Sequence, residues 1–267
     1  MMTRILIMTT LLFGVNTGLP EANADTWVVL DEIRQLFLDD YLIDSMKNMT
    51  RTVHQASKHP DNPIVQPTEP WEDNIVLIFG SVIRDNGKYR MWYYGGGGLS
   101  YAESNDGIKW KKIIHDFVEK DGRKTNILVK CQYKAEMYKQ TQKEYDSGVP
   151  NAIPFLAEAH GVHKDNLETD PSRRYKMTYT TGGGVGMGVA YSADGINWKL
   201  ARNWVTRSSR DIRHLMFDTT RGKWVLYGRA WNYHSPEVHD AWGENEYFKK
   251  HNRGRAVIRL ESSDLME

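Results

Sequence analysis

Apolar and polar positions alternate in short runs along this chain, with a period of two over most of its length, so the elements they predict are strands. Lys88–Tyr94 sets Tyr89, Met91 and Tyr93 on one face and Arg90, Trp92 and Tyr94 on the other. Ahead of it, Ile75–Asp85 (IVLIFGSVIRD) is almost continuously apolar, which predicts one strand covered on both faces. Asp85-Asn86-Gly87 between these runs predicts a hairpin. The four glycines Gly95–Gly98 then turn the chain into a third strand, Leu99–Ser104, and a fourth starts at Trp110. Between them, in Ser104–Trp110, Ser and Asp oxygens accept turn N–H groups and Gly107 supplies a positive φ.

The unit recurs. Arg174–Trp198 repeats Lys88–Trp110, with an offset of 86 residues from Tyr89 to Tyr175 and of 88 from Trp110 to Trp198. The copies therefore differ by two residues in the glycine-rich turn. A weaker third copy follows. Lys223–Tyr227 echoes the second strand of the unit, and Ala256–Asp264 (AVIRLESSD) keeps Glu261, Ser262 and Asp264 in step with Glu103, Ser104 and Asp106. A repeated unit of this size cannot bury its own surface and stacks on its neighbours. Repeated four-stranded meanders predict an all-β fold, a β-propeller with about three blades at 75–150, 151–208 and 209–267. A propeller closes with four to eight blades, so the expectation is a fragment of a longer, five-bladed one.

Other stretches fill in the organisation. Gln35–Asp44 (QLFLDDYLID) reads as a strand that pairs with Arg51–Gln55, and Lys58–Trp71, with its four prolines, as a rigid extended connection. Asn126–Lys130 predicts an outer strand and Gln132–Tyr145 a short helix. Residues 25–74 thus form an N-terminal hairpin and proline-rich connection, and 75–267 the partial propeller.

Composition adds an address and removes several partners. Arg4 followed by the apolar run Ile5–Val15 and by Ala22-Asn23-Ala24 reads as a signal peptide, residues 1–24, cleaved after Ala24. The mature chain is expected to be secreted or periplasmic, with no membrane span. A net charge of +1 in 267 residues argues against nucleic acid as a partner. One cysteine, Cys131, excludes an intramolecular disulfide. Nine Trp and 14 Tyr suit both a β core and stacking on sugars. The glycine clusters Gly95–Gly98 and Gly182–Gly188 lie between strands and lack a following Lys-Ser/Thr, so they are turns and not phosphate loops. His234, His239 and His251 show no metal-ligand spacing, and neither a metal nor a cofactor is expected. Carboxylates inside apolar strands are costly unless paired or functional, which marks Asp39 and Asp40.

The motifs LFLDDYLI, NPIVQP…PW, YRMWYY…YAES-x-DGI-x-W, DFVEKDGRKTNI and GKWVLYGR…RAVIRLESSD together resemble secreted bacterial proteins related to glycoside hydrolase families 32 and 43. That resemblance implies a five-bladed propeller, a carbohydrate substrate, and carboxylates on successive inner strands facing a central pocket. Glu158-Ala159-His160-Gly161-Val162-His163-Lys164 is similar to the family 43 strand that carries the general acid, which points to Glu158. By the same frame Asp211 stands at the Glu158 position of the third unit, and Arg213 at that of His160. His160, Arg213, His214, Asp73 and Trp71 are the expected substrate-binding residues. The first unit departs from the pattern: Phe79 occupies the position of the base and Ile78 stands level with Glu158. Asp39, Asp40 or Asp73 would then supply the missing carboxylate. A non-catalytic carbohydrate-binding propeller is the alternative, and a sialidase-like enzyme, suggested by the S-x-D-G-x-x-W turn, ranks last.

Overall fold

A computed structural model of the chain describes residues 39–40, 42–43, 45–182, 186–206, 213–231 and 255–265, and the chain divides into two compact units, residues 1–59 and 60–267. Much of the first strand of the expected hairpin, residues 35–38, 41 and 44, lies outside the described residues. Ile43 N–H closes a turn on the Asp40 carbonyl at 2.9 Å, and Arg51–Gln55 is extended without being part of a sheet among the described residues. What joins the two segments is a side chain: the Arg51 guanidinium pairs with the Asp40 carboxylate and reaches the Asp39 carbonyl at 3.5 Å.

The second unit is built of antiparallel sheets taken in chain order. The first contains β1 (Val76–Leu77), β2 (Val82–Asp85), β3 (Lys88–Gly95), β4 (Gly98–Ser104) and β5 (Lys111–Lys112), joined at the β4 edge by β8 (Ile127–Lys130). β6 (His115–Lys120) and β7 (Arg123–Thr125) form a hairpin of their own, and α1 (Ala135–Asp146) leads to the second sheet. That sheet is a four-stranded meander of β9 (Leu156–Lys164), β10 (Tyr175–Thr181), β11 (Met187–Ser192) and β12 (Trp198–Thr206). The third orders β13 (His214–Asp218), β14 (Lys223–Trp231) and β15 (Arg255–Ser262). The outer strand expected at 126–130 and the helix expected at 132–145 are both present.

One expectation fails in detail. Ile75–Asp85 is two short strands rather than one, because the chain leaves β3 after Leu77 and rejoins it at Val82. At the break Trp92 N–H donates to the Ser81 carbonyl at 2.9 Å. Ile75, Leu77, Ile78 and Val82 are exposed there, so their apolar character does not signal a strand covered on both faces.

The repeated turns are self-contained. Ser104 Oγ accepts from Asp106 and Gly107 N–H at 3.2 and 2.9 Å, and Asp106 Oδ1 from Ile108 and Lys109 N–H at 2.8 Å each. Ser192 and Asp194 repeat all four bonds. Ser262 repeats the first, accepting from Asp264 N–H at 3.2 Å. The Lys109 and Ile108 N–H groups and the Ser104 hydroxyl hold the Asp106 carboxyl at about 2.

Neighbouring sheets pack face to face. Val162 N–H on β9 donates to Ser81 Oγ at 3.1 Å, and a Cβ at Gly161 would lie 3.4 Å from the Leu215 nitrogen on β13. The first strands of the three sheets therefore lie side by side, in the manner of propeller blades. The main core fills the space between the first two sheets with Trp92, Tyr101, Leu128, Leu156, Met177 and Tyr179. On the far face of the first sheet Val65 and Val76 pack against Met91 and Tyr93, so the proline-rich connection covers that face.

Candidate functional site

Register identifies the level at which the three sheets differ. Glu158 on β9 lies opposite Thr180 on β10, and Leu77 on β1 opposite Tyr94 on β3. Tyr94 and Thr180 correspond in the repeat, so Leu77, and not Ile78, stands at the Glu158 level. The shift comes from the break after β1. Neither residue bears a carboxylate, and Phe79 packs its ring against Tyr94 at 6.1 Å between centroids.

Arg213, just ahead of β13, is 1% exposed. Its Nη1 donates to the carbonyls of Gly186 at 3.1 Å and Tyr179 at 3.4 Å, both on the second sheet. Burial pulls this guanidinium down to about 10, and the charge of Glu158 opposes that shift. Glu158, opposite Thr180, and Arg213, on the carbonyl of neighbouring Tyr179, thus lie at the same end of the second sheet. That end is where β10 turns towards β11.

The other expected site residues are scattered. Asp211 and the side chain of His160 lie outside the described residues. His214 is exposed on β13 opposite Tyr227. Asp73 is exposed at φ 52°, beside Lys120 at 3.4 Å, at the β3–β4 turn end of the first sheet. Asp39 and Asp40 belong to the first unit, where Arg51 engages Asp40. Trp71 requires correction. It is 7% exposed, packs on Val118 and Ile127, and donates its indole N–H to Asn126 Oδ1 at 2.9 Å. Its ring has no open face for stacking on a sugar.

Glu72 and Asp85 are among the buried carboxylates that the sequence did not mark. Glu72 is fully buried, accepts from Tyr93 OH at 2.9 Å and Glu69 N–H at 3.0 Å, and pairs with Lys112. Lys112 also donates to the Gln66 carbonyl and Thr68 Oγ1 at 2.8 and 2.9 Å, which fastens the proline-rich connection to the first sheet. Asp85 pairs with Lys164 and with Arg90, and accepts from Tyr175 OH. Burial pushes the Asp85 carboxyl up, but the bonds from Lys164, Tyr175 and Arg90 outweigh it and hold the group below its ordinary value. A strand-ending Asp before Asn-Gly reads as a turn residue, and its partners stand 79 and 90 residues away, so no local signal announces the role. Both oxygens of each of these two carboxylates face cations or donors already in place, which makes them structural.

Among the described residues no group of His, Cys, Asp and Glu could hold a metal ion, and no helix is long and apolar enough to cross a membrane.

No protein-family model matches the chain, and no curated protein matches it. Similar solved structures include a family 43 β-1,3-galactosidase (17% identity, TM-score 0.38, 61% of this chain and 33% of that one). They also include a family 117 glycoside hydrolase of the marine bacterium Zobellia galactanivorans (14%, 0.36, 70% and 52%). A third is a family 43 endo-arabinanase from Bacillus licheniformis (11%, 0.32, 73% and 74%). The chain spans between 33% and 52% of the length of four such structures.

Proposed function

We propose that this chain is part of a secreted glycoside hydrolase, with Glu158 as one of the two carboxylates that flank the scissile bond. The observation that carries the reading is the convergence of Glu158 and buried Arg213 from adjacent sheets at the ends of their first strands. Glycoside hydrolysis needs one carboxyl kept protonated and one kept ionised. We assign Glu158 the role of general acid, as its strand's resemblance implies. Asp211, in the same frame on the third unit, is the proposed second carboxylate, with His160 and His214 as hydroxyl binders.

Glu158→Gln in the full chain, assayed on aryl furanosides, aryl xylosides and oligosaccharides, tests this. Turnover is expected to fall at least about a hundredfold, with loss of the alkaline limb of the pH–rate profile. Unchanged turnover removes Glu158 from the mechanism, and loss of the acidic limb instead gives it the role of nucleophile or base. A second reading, a carbohydrate-binding propeller without catalysis, is favoured by Leu77, an apolar side chain at the Glu158 level of the first sheet. Binding to a glycan array with no hydrolysis of any bound sugar would establish it.

A further inference from the structure

The first sheet has no carboxylate at the Glu158 level and carries aromatic rings there instead. Tyr94 on β3 pairs with Leu77 and is the counterpart of Thr180, the partner of Glu158. Tyr94 packs against the core between the first two sheets, so it lies on the face turned towards the second. Phe79, in the break between β1 and β2, packs on the Tyr94 ring at 6.1 Å and 36°. Tyr133 OH donates to Tyr94 OH at 3.2 Å.

The segment that carries Tyr133 ties the two sheets together at this end. Cys131 N–H donates to the Gly97 carbonyl at 2.9 Å, in the β3–β4 turn, and Gln132 N–H to the Leu156 carbonyl at 2.8 Å, two residues before Glu158 on β9. The Gln132 side chain donates to the Ile153 carbonyl at 2.7 Å and accepts from Phe155 N–H at 3.1 Å. These bonds fix the chain beside Tyr133, yet Tyr133 itself is 50% exposed. Phe79 and Tyr94 are half-buried, and Leu77 and Ile78 beside them are exposed. Apolar surface held open on a rigid support marks an interaction site. The polar contacts within the group are neutral, phenol with phenol and phenol with the Cys131 thiol. Burial, the thiol and the Tyr94 phenol push the Tyr133 phenol up, so it stays uncharged.

We propose that Phe79, Tyr94 and Tyr133 form an aromatic platform for a neutral pyranose unit of the substrate glycan, on the first-sheet side of Glu158. The inference rests on the glycosidase reading above and names the kind of sugar its site takes. A pyranose chair carries C–H bonds on one face, which lies against aromatic rings, while its hydroxyls reach the two phenol oxygens, each both donor and acceptor. A uronate would lose hydration against Leu77, Ile78 and Phe79 with no cation supplied by the platform. Phe79 at the position of the base is then a recognition residue: the first sheet binds, and the carboxylates come from the other two.

The test is calorimetric titration of the full chain carrying Glu158→Gln, which keeps bound sugars intact. The probes are three neutral pyranose tetramers (xylotetraose, cellotetraose and β-1,4-galactotetraose), an arabinofuranose tetramer and a galacturonic acid tetramer. At least one neutral pyranose tetramer is expected to bind. Adding Tyr133→Ala or Phe79→Ala should each weaken that binding about tenfold, the loss of one stacked ring, and Tyr133→Phe, which keeps the ring, should weaken it less. Phe79 lies outside the strands, so its variant does not depend on how Tyr133→Ala folds. No binding of any neutral pyranose tetramer up to about 10 mM, a weak-binding limit, overturns the proposal. So does binding that neither alanine variant weakens, or tighter binding of the furanose or the acidic tetramer. Absent pyranose binding beside Glu158-dependent turnover of an aryl furanoside sinks the platform and leaves the function standing. Platform-dependent binding with no turnover of any glycoside by the unsubstituted chain does the reverse.

Discussion

The second sheet meets a neighbour on each face, and the two seams are made of different chemistry. Towards the first sheet it presents Tyr175, Met177 and Tyr179 to Trp92, Tyr101 and Leu128, with Trp92 donating across the seam and Asp85 binding Lys164, Tyr175 and Arg90. Towards the third sheet it presents Lys176 and Thr178, both buried. Lys176 bridges Asp165 and Glu168 beneath the Trp224 ring, and Thr178 Oγ1 has no partner. The apolar part of this seam, with Met187, Val189, Leu215, Trp224 and Leu226, is smaller. Stability is concentrated in the first seam. The second carries its ion pairs at the Tyr191 end of β10, away from Glu158, and has less apolar surface to pack.

The comparison breaks first at its tryptophans. Trp92→Ala is expected to cost about 4–5 kcal/mol and Trp224→Ala about 3, the upper and lower parts of the range for buried aromatics, as read by chemical denaturation. Equal costs would erase the contrast. Asp85→Ala should follow at about 3 kcal/mol, because it leaves Lys164 and Arg90 uncompensated. Asp165→Ala should cost about half as much, since Glu168 still holds Lys176 at 2.9 Å.

A glycine pair separates turn conformation from docking. Gly107 and Gly195 have φ of 76° and 77°, but a Cβ at Gly107 meets nothing closer than 3.7 Å, whereas one at Gly195 would lie 2.7 Å from the Trp92 ring. Gly107→Ala is expected to cost about 1 kcal/mol and Gly195→Ala about 2, by the same measurement. Equal values would mean that the seam yields to the added methyl.

Acid should separate the seams most gently. Burial pushes His163 below its ordinary 6.5; it packs edge-on against Trp224 and feels Asp165, Lys176 and His214. The unfolded chain takes up this proton at 6.5 and the folded chain resists it, so the stability is present above pH 6.5 and is lost as pH falls towards the lowered folded value. Asp85, also lowered, keeps its contribution until pH falls below 3.8. Between these limits the second seam weakens and the first holds its ion pairs. His163→Gln should flatten part of the stability slope below pH 6.5; His115, which burial also lowers, contributes to the same slope.

Local patterns were legible and distant partners were not. Ser104–Trp110 and its copy announce the turns because every bond in them spans two or three residues. The meander could be read from period-two alternation. Ile75–Asp85 misled because apolar residues at an exposed break look like those of a covered strand. Trp71 misled because an aromatic beside carboxylates suits a sugar platform as well as a core. The roles of Asp85 and Glu72 depend on residues that only tertiary packing brings together.

The Ser-Asp turn has a consequence in time. Its four bonds close within a handful of residues and call on no other sheet, so it belongs to the microsecond class of folding events, alongside hairpin formation at about 1–10 μs. Each meander can therefore set its register before its neighbour exists, and sequential contacts of this kind lower the contact order of a fold that all-β proteins usually reach slowly. Trp92 then docks on a Gly195 carbonyl that is already in position. The expected assembly is blade upon blade, in the order in which the chain is made.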